Sequence, residues 1–407
     1  MAKRILVYTN HFYPENFKVN DVAHLLMDND NEVTVITGVP NYPSGNIFEG
    51  YGIFKRNREL YNGIQVIRLP LIPRGSGTKF RLVLNYLSYF ISCLIYTFYI
   101  VLFKKKYDVV FVHHTSPVLI AFHPILIKFF RNSKLILWDL DMWPDTLVAM
   151  GIIKSKYLIK NLEALMKWLY KKYDYILVGS KSFEEIALKR IGNSNVSYFP
   201  NWAENTFTDN VYSKEFEKLN FKFPEEFKIM YAGNIGDAQD FENIFKAMQL
   251  LKDKPINWLF VGDGRKRKWL EKQIEEHNMT HRVEFYGSFD VSYMPYFFKR
   301  ADVMFFSLKN EEIFTKTVPA KLQSYMASRK AVVGMISGEG NSLIKSSNCG
   351  YSVESGDYKS FARVIEDLSK MVPSEIETFG ENGFNYYQEH YSLNKRKAQL
   401  RLLMENI

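Results

Sequence analysis

Apolar positions along the chain fall into two alternating kinds of run. Short, almost wholly apolar stretches rich in Val, Ile, Leu and aromatic residues occur at 4–9, 32–37, 64–69, 108–113, 134–139 and 173–179. Longer stretches with helical spacing separate most of them. Strands without polar alternation are expected when helices cover both faces of a sheet, so these runs predict a parallel α/β sheet. After "FPNWAENTF" (199–207) the pattern restarts, with strand runs at 227–233, 256–262, 282–287, 301–307, 330–335 and 350–353. Two doubly wound, Rossmann-like domains follow, with a boundary near residues 200–215. We place the first at 1–205, the second at 206–385, and a basic helix within 386–407 that packs back toward the first. Open sheets of this kind bind ligands beyond the carboxyl ends of their strands, so two facing across a cleft suit a two-substrate reaction.

Residues 82–103, "LVLNYLSYFISCLIYTFYIVLF", hold no charge and are flanked by Lys79, Arg81 and Lys104–Lys106. The run is long enough to cross a bilayer. It nevertheless joins two strands expected in one sheet, and its polar residues Asn85, Ser88, Ser92, Tyr96 and Tyr99 recur at helical spacing. These features predict a helix against the first domain that dips into a membrane interface. The alternative is a fully buried helix. A second basic, aromatic run at 154–173 has the composition of a headgroup-facing surface.

Charge supports the asymmetry. Residues 1–200 carry 25 Lys and Arg against 15 Asp and Glu, whereas residues 201–407 carry 28 against 29. The excess positive charge of the chain belongs to its first half, which suits an anionic partner. The aromatics sit in apolar helices and are not interleaved with a basic platform, which argues against nucleic acid. Two cysteines, one in each half, predict no disulfide framework and a reducing compartment. The amino-terminal "MAKRILVYTN" runs straight into a strand and has no secretory-signal pattern.

Several short motifs could carry chemistry. "TKTVPAKLQSYMASRKAVVG" (315–334) reads as a Pro-opened helix with Lys321 in its first turn. A helix start favours an anion, so a cation there gains from a shared negative ligand. "GNIGDAQ" (233–239) and "GDGRKRK" (262–268) follow strands, but neither meets G-x-G-x-x-G, which weakens a dehydrogenase reading; each also reads as a tight turn. Asp139 and Asp141 form a D-x-D with no third ligand beyond Asp145, so no metal is expected. His113 and His114 end a central strand, where one can face the core and the other a cleft; a satisfied core histidine is the alternative for either. Zinc-protease, C-x-x-C and G-x-S-x-G patterns do not occur.

Taken in order, "HFYPENFKVND" (11–21), "GVPNYPSGNIFEGY" (38–51), "LIPRGSG" (71–77), "LNYLSYF" (84–90), "DMWPD" (141–145), "FPNWAE" (199–204), "YAGNIGDAQ" (231–239), "GDG" (262–264), "TVPAKLQSYMA" (317–327) and "GEGNSLI" (338–344) resemble the retaining glycosyltransferases of family 4, which have the GT-B fold. The nearest branch resembles bacterial capsule and O-antigen enzymes such as N-acetyl-L-fucosaminyltransferases. The resemblance implies a metal-independent, hexosyltransferase-type enzyme with no cofactor and a UDP-sugar as donor. The donor side would comprise Gly233, Asn234, Gly236, Gln239, Gly262, Arg267, Thr317, Pro319, Lys321, Ser324 and Glu339. The acceptor, a polyprenyl-diphosphate-linked sugar, would meet Glu15, Asn16, Lys18, Asn41, Tyr42, Trp143 and Asp145. Lys321, Asp141 and His114 would be catalytic, and the protein would act at the cytoplasmic face of the inner membrane on an anionic surface.

The chain departs from this pattern in two places, and in one of them the Arg and Lys pair usual after the glycine loop is missing from "GNIGDAQDFENIFKAM", where Gln239 stands. Two glutamates eight apart are usual in the family, and the corresponding positions here are Lys316 and Ser324. Glu339, Glu311 or Glu312 would have to replace the sugar contact. A UDP-sugar 2-epimerase on the same fold is the enzymatic rival, although it also needs carboxylates around the sugar and has no use for a membrane-seeking domain. A membrane-bound scaffold is the non-enzymatic one.

Overall fold

The computed structural model describes residues 2–192, 195–208, 216 and 219–407. It divides into two compact units, Met1–Phe199 with Arg396–Ile407, and Pro200–Lys395. The expected boundary region 200–215 lies partly outside the described residues.

The first unit is built on an eight-stranded sheet: β1 (Arg4–Thr9), β2 (Glu32–Gly38), β3 (Arg58–Tyr61), β4 (Ile64–Leu69), β5 (Val109–His114), β6 (Lys134–Asp139), β7 (Tyr175–Val178) and β8 (Val196–Tyr198). Their order across the sheet is β3-β4-β2-β1-β5-β6-β7-β8. All pairs are parallel except β3 with β4. The winding reverses at β1, which pairs with both β2 and β5, so the loops after β1, β2, β4 and β5 converge at that end. β1 and β5 are solid apolar runs because helices cover both faces.

The second unit has six strands, β9 (Phe227–Ala232), β10 (Ile256–Val261), β11 (Val283–Gly287), β12 (Val303–Ser307), β13 (Ala331–Met335) and β14 (Gly350–Val353). Their order is β11-β10-β9-β12-β13-β14, all parallel. Trp258, Tyr231, Phe305 and Phe361 anchor its core.

One expected feature shifts. Residues 386–390 finish the helix Pro373–His390 that belongs to the second unit, and a separate helix, Leu393–Glu405, carries the chain back to the first. There Lys397 pairs with Asp28 at 3.0 Å and Gln399 donates to the Tyr198 carbonyl at 3.3 Å. Both cysteines are buried free thiols.

The apolar run forms one helix, Lys79–Phe103, and it is packed inside out. The first part of its expected polar stripe faces the protein: Asn85 donates to the Ile72 carbonyl (2.7 Å), Ser88 accepts from the Ile72 amide (2.9 Å) and Ser92 donates to the Pro70 carbonyl (2.7 Å); further on Thr97 meets the Tyr8 hydroxyl (2.7 Å), and Tyr99 is exposed. Phe80, Val83, Leu87, Ile91, Ile95, Leu102 and Phe103 point outward, and only 28 % of its most apolar stretch is buried. Because it links β4 to β5 in a single sheet, this helix lies along the domain.

Two loops at the switch point are clasped through glycines. Gly45 has φ +83°, and a Cβ there would sit 2.0 Å from the Gly75 carbonyl oxygen; the Gly75 amide donates to the Gly45 carbonyl at 2.8 Å. Gly45→Ala should therefore lower stability by about 1–3 kcal/mol, through left-handed backbone strain and a backbone clash. Denaturant unfolding checks this, and an unchanged midpoint would contradict the clasp.

Candidate active site

At the carboxyl end of the second sheet, a short helix is locked to a glycine turn. In the helix Ala320–Ala327, Lys321 and Tyr325 are four apart and so share a face. The Tyr325 hydroxyl donates to the Ala232 carbonyl (3.2 Å) and accepts from the Ala232 amide (3.1 Å) at the end of β9. One turn earlier, Lys321 is thereby laid over Gly233, whose missing side chain leaves the room: a Cβ there would lie 2.6 Å from Lys321 Cε. Its ammonium stands 5.2 Å from the Tyr231 ring centroid. Among the described residues it has no carboxylate partner, and burial alone pushes its pKa down to about 8.

The surrounding loops are built to approach one another. A Cβ on Gly262 would fall 2.0 Å from the Gly233 carbonyl oxygen, and one on Gly264 2.3 Å from that of Ile235. Gln239 turns back so that its side-chain oxygen accepts from the Gly236 amide at 3.1 Å. The Asn234 carbonyl accepts from the Tyr231 hydroxyl at 2.5 Å. Thr317 donates to the Ile313 carbonyl at 2.8 Å, and Pro319 opens the helix. Gly338, at φ +73°, lies against the Thr315 backbone and brings up the helix Glu339–Ser347. The structure thus gathers Gly233, Asn234, Gly236, Gln239, Gly262, Thr317, Pro319, Lys321 and Glu339 at the ends of β9, β10 and β13. Arg267 is already engaged, with its ε-nitrogen 2.8 Å from Glu271 and its guanidinium over Phe285. Ser324 turns its hydroxyl back to the Ala320 carbonyl, and Lys316 pairs with Glu312 at 2.6 Å.

In the first unit the structure corrects several expectations. His114 does not face a cleft: it is fully buried, with Nδ1 2.8 Å from Asp139, because β5 is central and covered on both sides. The Asp139 carboxylate holds its pKa up against burial. His113 is buried as well, bonded to the Thr9 hydroxyl at 3.0 Å. Glu15 is a buried loop organiser, accepting from the Asn41 and Tyr42 amides (2.9 and 2.7 Å) and pairing with His11 at 2.9 Å. Asn41 is equally buried, whereas Tyr42 and Asn16 are exposed; Lys18 occupies the N-cap position of the helix Val19–Leu26, with no side-chain capping bond. Asp145 is tied to the buried Arg190 guanidinium at 2.9 Å.

Asp141 remains accessible in part. It accepts from the Ser116 amide at 2.9 Å and from the Ser116 hydroxyl, which in turn accepts from the Trp143 indole at 2.8 Å. The D-x-D is split, since Asp139 also accepts from the Asp141 amide (3.1 Å) and from Tyr170. Among the described residues no group of three or more His, Cys, Asp and Glu is arranged to hold a metal ion.

Sequence reasoning missed His11, Arg74, Ser116, Tyr231 and Tyr325. The one signal available was Tyr325, placed four residues after Lys321.

Residues 213–385 match the family model described as glycosyl transferases group 1. The chain is 24% identical over 341 residues to the probable glycosyltransferase WbjE of Pseudomonas aeruginosa, covering 82% of this chain and 83% of that one. It is 25% identical over 312 residues to the putative colanic acid biosynthesis glycosyl transferase WcaI of Escherichia coli, covering 74% and 75%. Among solved structures, a sucrose-phosphate synthase from Thermosynechococcus elongatus superposes with TM-score 0.74 at 16% identity over 99% of this chain and 98% of that one. HepE from Anabaena, solved with UDP and glucose, superposes with TM-score 0.69 at 12% identity over the whole of both chains. Over residues 213–385 the chain thus carries a domain of the glycosyl transferases group 1 kind, and its two parallel-sheet α/β units have the GT-B fold.

Proposed function

We propose that the protein is a retaining glycosyltransferase that takes a sugar from a UDP-sugar and adds it to a polyprenyl-diphosphate-linked saccharide. It would work at the cytoplasmic face of a bacterial inner membrane, in the assembly of a surface polysaccharide. The observation that carries this reading is the uncompensated ammonium of Lys321 above the Gly233 turn. As the glycosidic bond breaks, negative charge grows on the leaving diphosphate. A preplaced cation and peptide N–H donors at a helix start stabilise that charge more in the transition state than in the ground state. In retention by same-face attack, the acceptor oxygen bonds to the anomeric carbon on the face the diphosphate leaves, and its proton passes to a leaving phosphate oxygen. Asp141, fixed by Ser116, orients the acceptor hydroxyl. One relative's name, a putative colanic acid biosynthesis glycosyl transferase, supports a role in surface polysaccharide synthesis. The transferred sugar in this reading is an N-acetylated deoxyhexosamine, as the family resemblance implies.

Membrane association rests on the inside-out helix. Its apolar face adjoins the helix His123–Arg131, where Phe129 and Phe130 are exposed and Arg131 donates to the Val101 carbonyl at 2.7 Å. That helix in turn meets Lys156–Tyr170, with Phe122 stacked on Trp168 at 6.1 Å. Exposed Tyr157, Leu158 and Trp168 continue the surface, and Lys104–Lys106, Lys160, Lys167, Lys171 and Lys172 edge it. Apolar burial plus attraction of lysines to anionic headgroups suits interfacial binding.

Incubation with UDP-sugars and a polyprenyl-diphosphate sugar, followed by mass analysis of the lipid, tests the reaction directly. In that assay Lys321→Ala should lower kcat/KM by roughly two to three orders of magnitude. Since the free amine titrates at about 8, UDP affinity should be full below that pH and weaken above it as the cation is lost. Lys321→Arg should flatten this dependence, and wild-type turnover in Lys321→Ala would sink the assignment. For the membrane, Leu87→Asp combined with Ile91→Asp should shift the protein from vesicles of anionic lipid to the supernatant in flotation. Retention on vesicles by the double variant would remove that face from the account.

A further inference from the structure

At the switch point of the first sheet, a second cation is held in readiness by a relay that nothing above uses. Arg74 follows β4 in the loop clasped by Gly45 and Gly75. It donates to His11 Nε2 at 3.1 Å, and His11 Nδ1 meets Glu15 at 2.9 Å. A guanidinium only donates, so Nε2 is the acceptor and the imidazole proton sits on Nδ1, facing the carboxylate. Phe17 stacks on the same ring at 4.6 Å. Glu15, buried and bonded to two amides, thus fixes His11, and His11 fixes Arg74.

The guanidinium itself lies over two rings, Tyr42 at 5.1 Å and Tyr86 at 5.4 Å. Its Nε is buried without a partner, and no carboxylate pairs with it among the described residues. The cation is therefore oriented by the one donor it spends on His11, while its other terminal N–H groups keep the forked edge for a ligand. Its loop also hangs on the polar stripe of the inside-out helix through Pro70 and Ile72, and Tyr86 belongs to that helix. Beside Tyr86, Val83 and Leu87 are exposed at the start of the apolar outer face. A forked donor at the rim of an apolar surface fits a ligand with a phosphate at one end and a hydrocarbon at the other.

We propose that Arg74, oriented by His11 and Glu15 between Tyr42 and Tyr86, binds the phosphate of a lipid-borne acceptor. This assignment rests on the reading of the acceptor as a polyprenyl-diphosphate-linked sugar. Arg74 acts through direct contact with that phosphate, and His11 is a positioning residue.

Farnesyl diphosphate is a suitable probe, titrated calorimetrically into the full chain carrying Lys321→Ala so that its diphosphate is not captured in the second unit. We expect binding that Arg74→Ala weakens about 10–100-fold and Arg74→Lys weakens less, because the lysine keeps the charge and loses the fork. Farnesol should bind weakly and ignore both changes, and pyrophosphate should bind less tightly than farnesyl diphosphate. An unchanged thermal midpoint in Arg74→Lys excludes misfolding as the cause. Absence of binding, equal affinity in Arg74→Ala, farnesol binding as tight as that of the diphosphate, or pyrophosphate binding as tight as that of the lipid would each overturn the proposal. Farnesyl diphosphate binding that depends on Arg74, together with no sugar transfer to any lipid acceptor, would uphold this site and reject the enzymatic reading instead.

Discussion

The second unit depends on one contact, the two-way hydrogen bonding of the Tyr325 phenol with the backbone of Ala232. It fixes the helix Ala320–Ala327 against the end of β9, and helical spacing then leaves Lys321 only one place to go, over Gly233. A larger residue at 233 would collide with it. The result is a cation held at a helix start, where the peptide dipoles already repel positive charge and no acid among the described residues offsets it. The fold carries this unfavourable arrangement because the rest of the helix is anchored by Leu322, Tyr325 and Met326 in the core. An anion relieves both the burial and the dipole, which is why the site is read as one for a diphosphate.

The first unit solves a related problem with different parts. Its long helix would be unstable in water with its apolar face outward if the inward face did not satisfy the buried polar groups of its own side chains and of the loop Pro70–Ile72. Asn85, Ser88 and Ser92 do so. The same bonds position the loop that bears Arg74. Interfacial packing and the unpaired guanidinium are therefore products of one stripe of small polar residues. Substitutions in that stripe would disturb both.

Much of the fold was legible. Twelve strand runs in the sequence correspond to β1, β2, β4–β7 and β9–β14, because buried parallel strands announce themselves by unbroken apolar stretches. β3 and β8 were not read. The first is an exposed four-residue edge, "RELY", and the second has three residues, too short for any period to show. The site was legible where it depends on local spacing, as with Lys321 and the glycine turns. It was misread where the deciding partner is distant in sequence. His114, Glu15 and Asp145 all lie near carboxyl ends of strands, yet Asp139 and the Asn41 and Tyr42 amides claim the first two for the interior, and the half-exposed Asp145 is spent on the buried Arg190. Arg74 stood inside a quoted motif, but its neighbours Tyr42, Tyr86 and His11 come from three other segments.

The departure at 316 and 324 also has a structural counterpart. Lys316 is held by Glu312 in its own short helix, and Ser324 spends its hydroxyl on the Ala320 carbonyl, so neither is arranged like a free carboxylate. The acid that the structure does bring beside this loop is Glu339. Gly338 can press against the Thr315 backbone only because it lacks a side chain and takes φ +73°, and this contact sets the first turn of Glu339–Ser347 next to the segment leading into Lys321. On the proposed reading, recognition of the donor sugar would therefore have moved from the helix that carries Lys321 to the neighbouring turn, whose glycines fix its geometry. The diphosphate contact keeps its own supports through such a move, the Tyr325 hydroxyl on Ala232 and the bare Gly233 beneath Lys321.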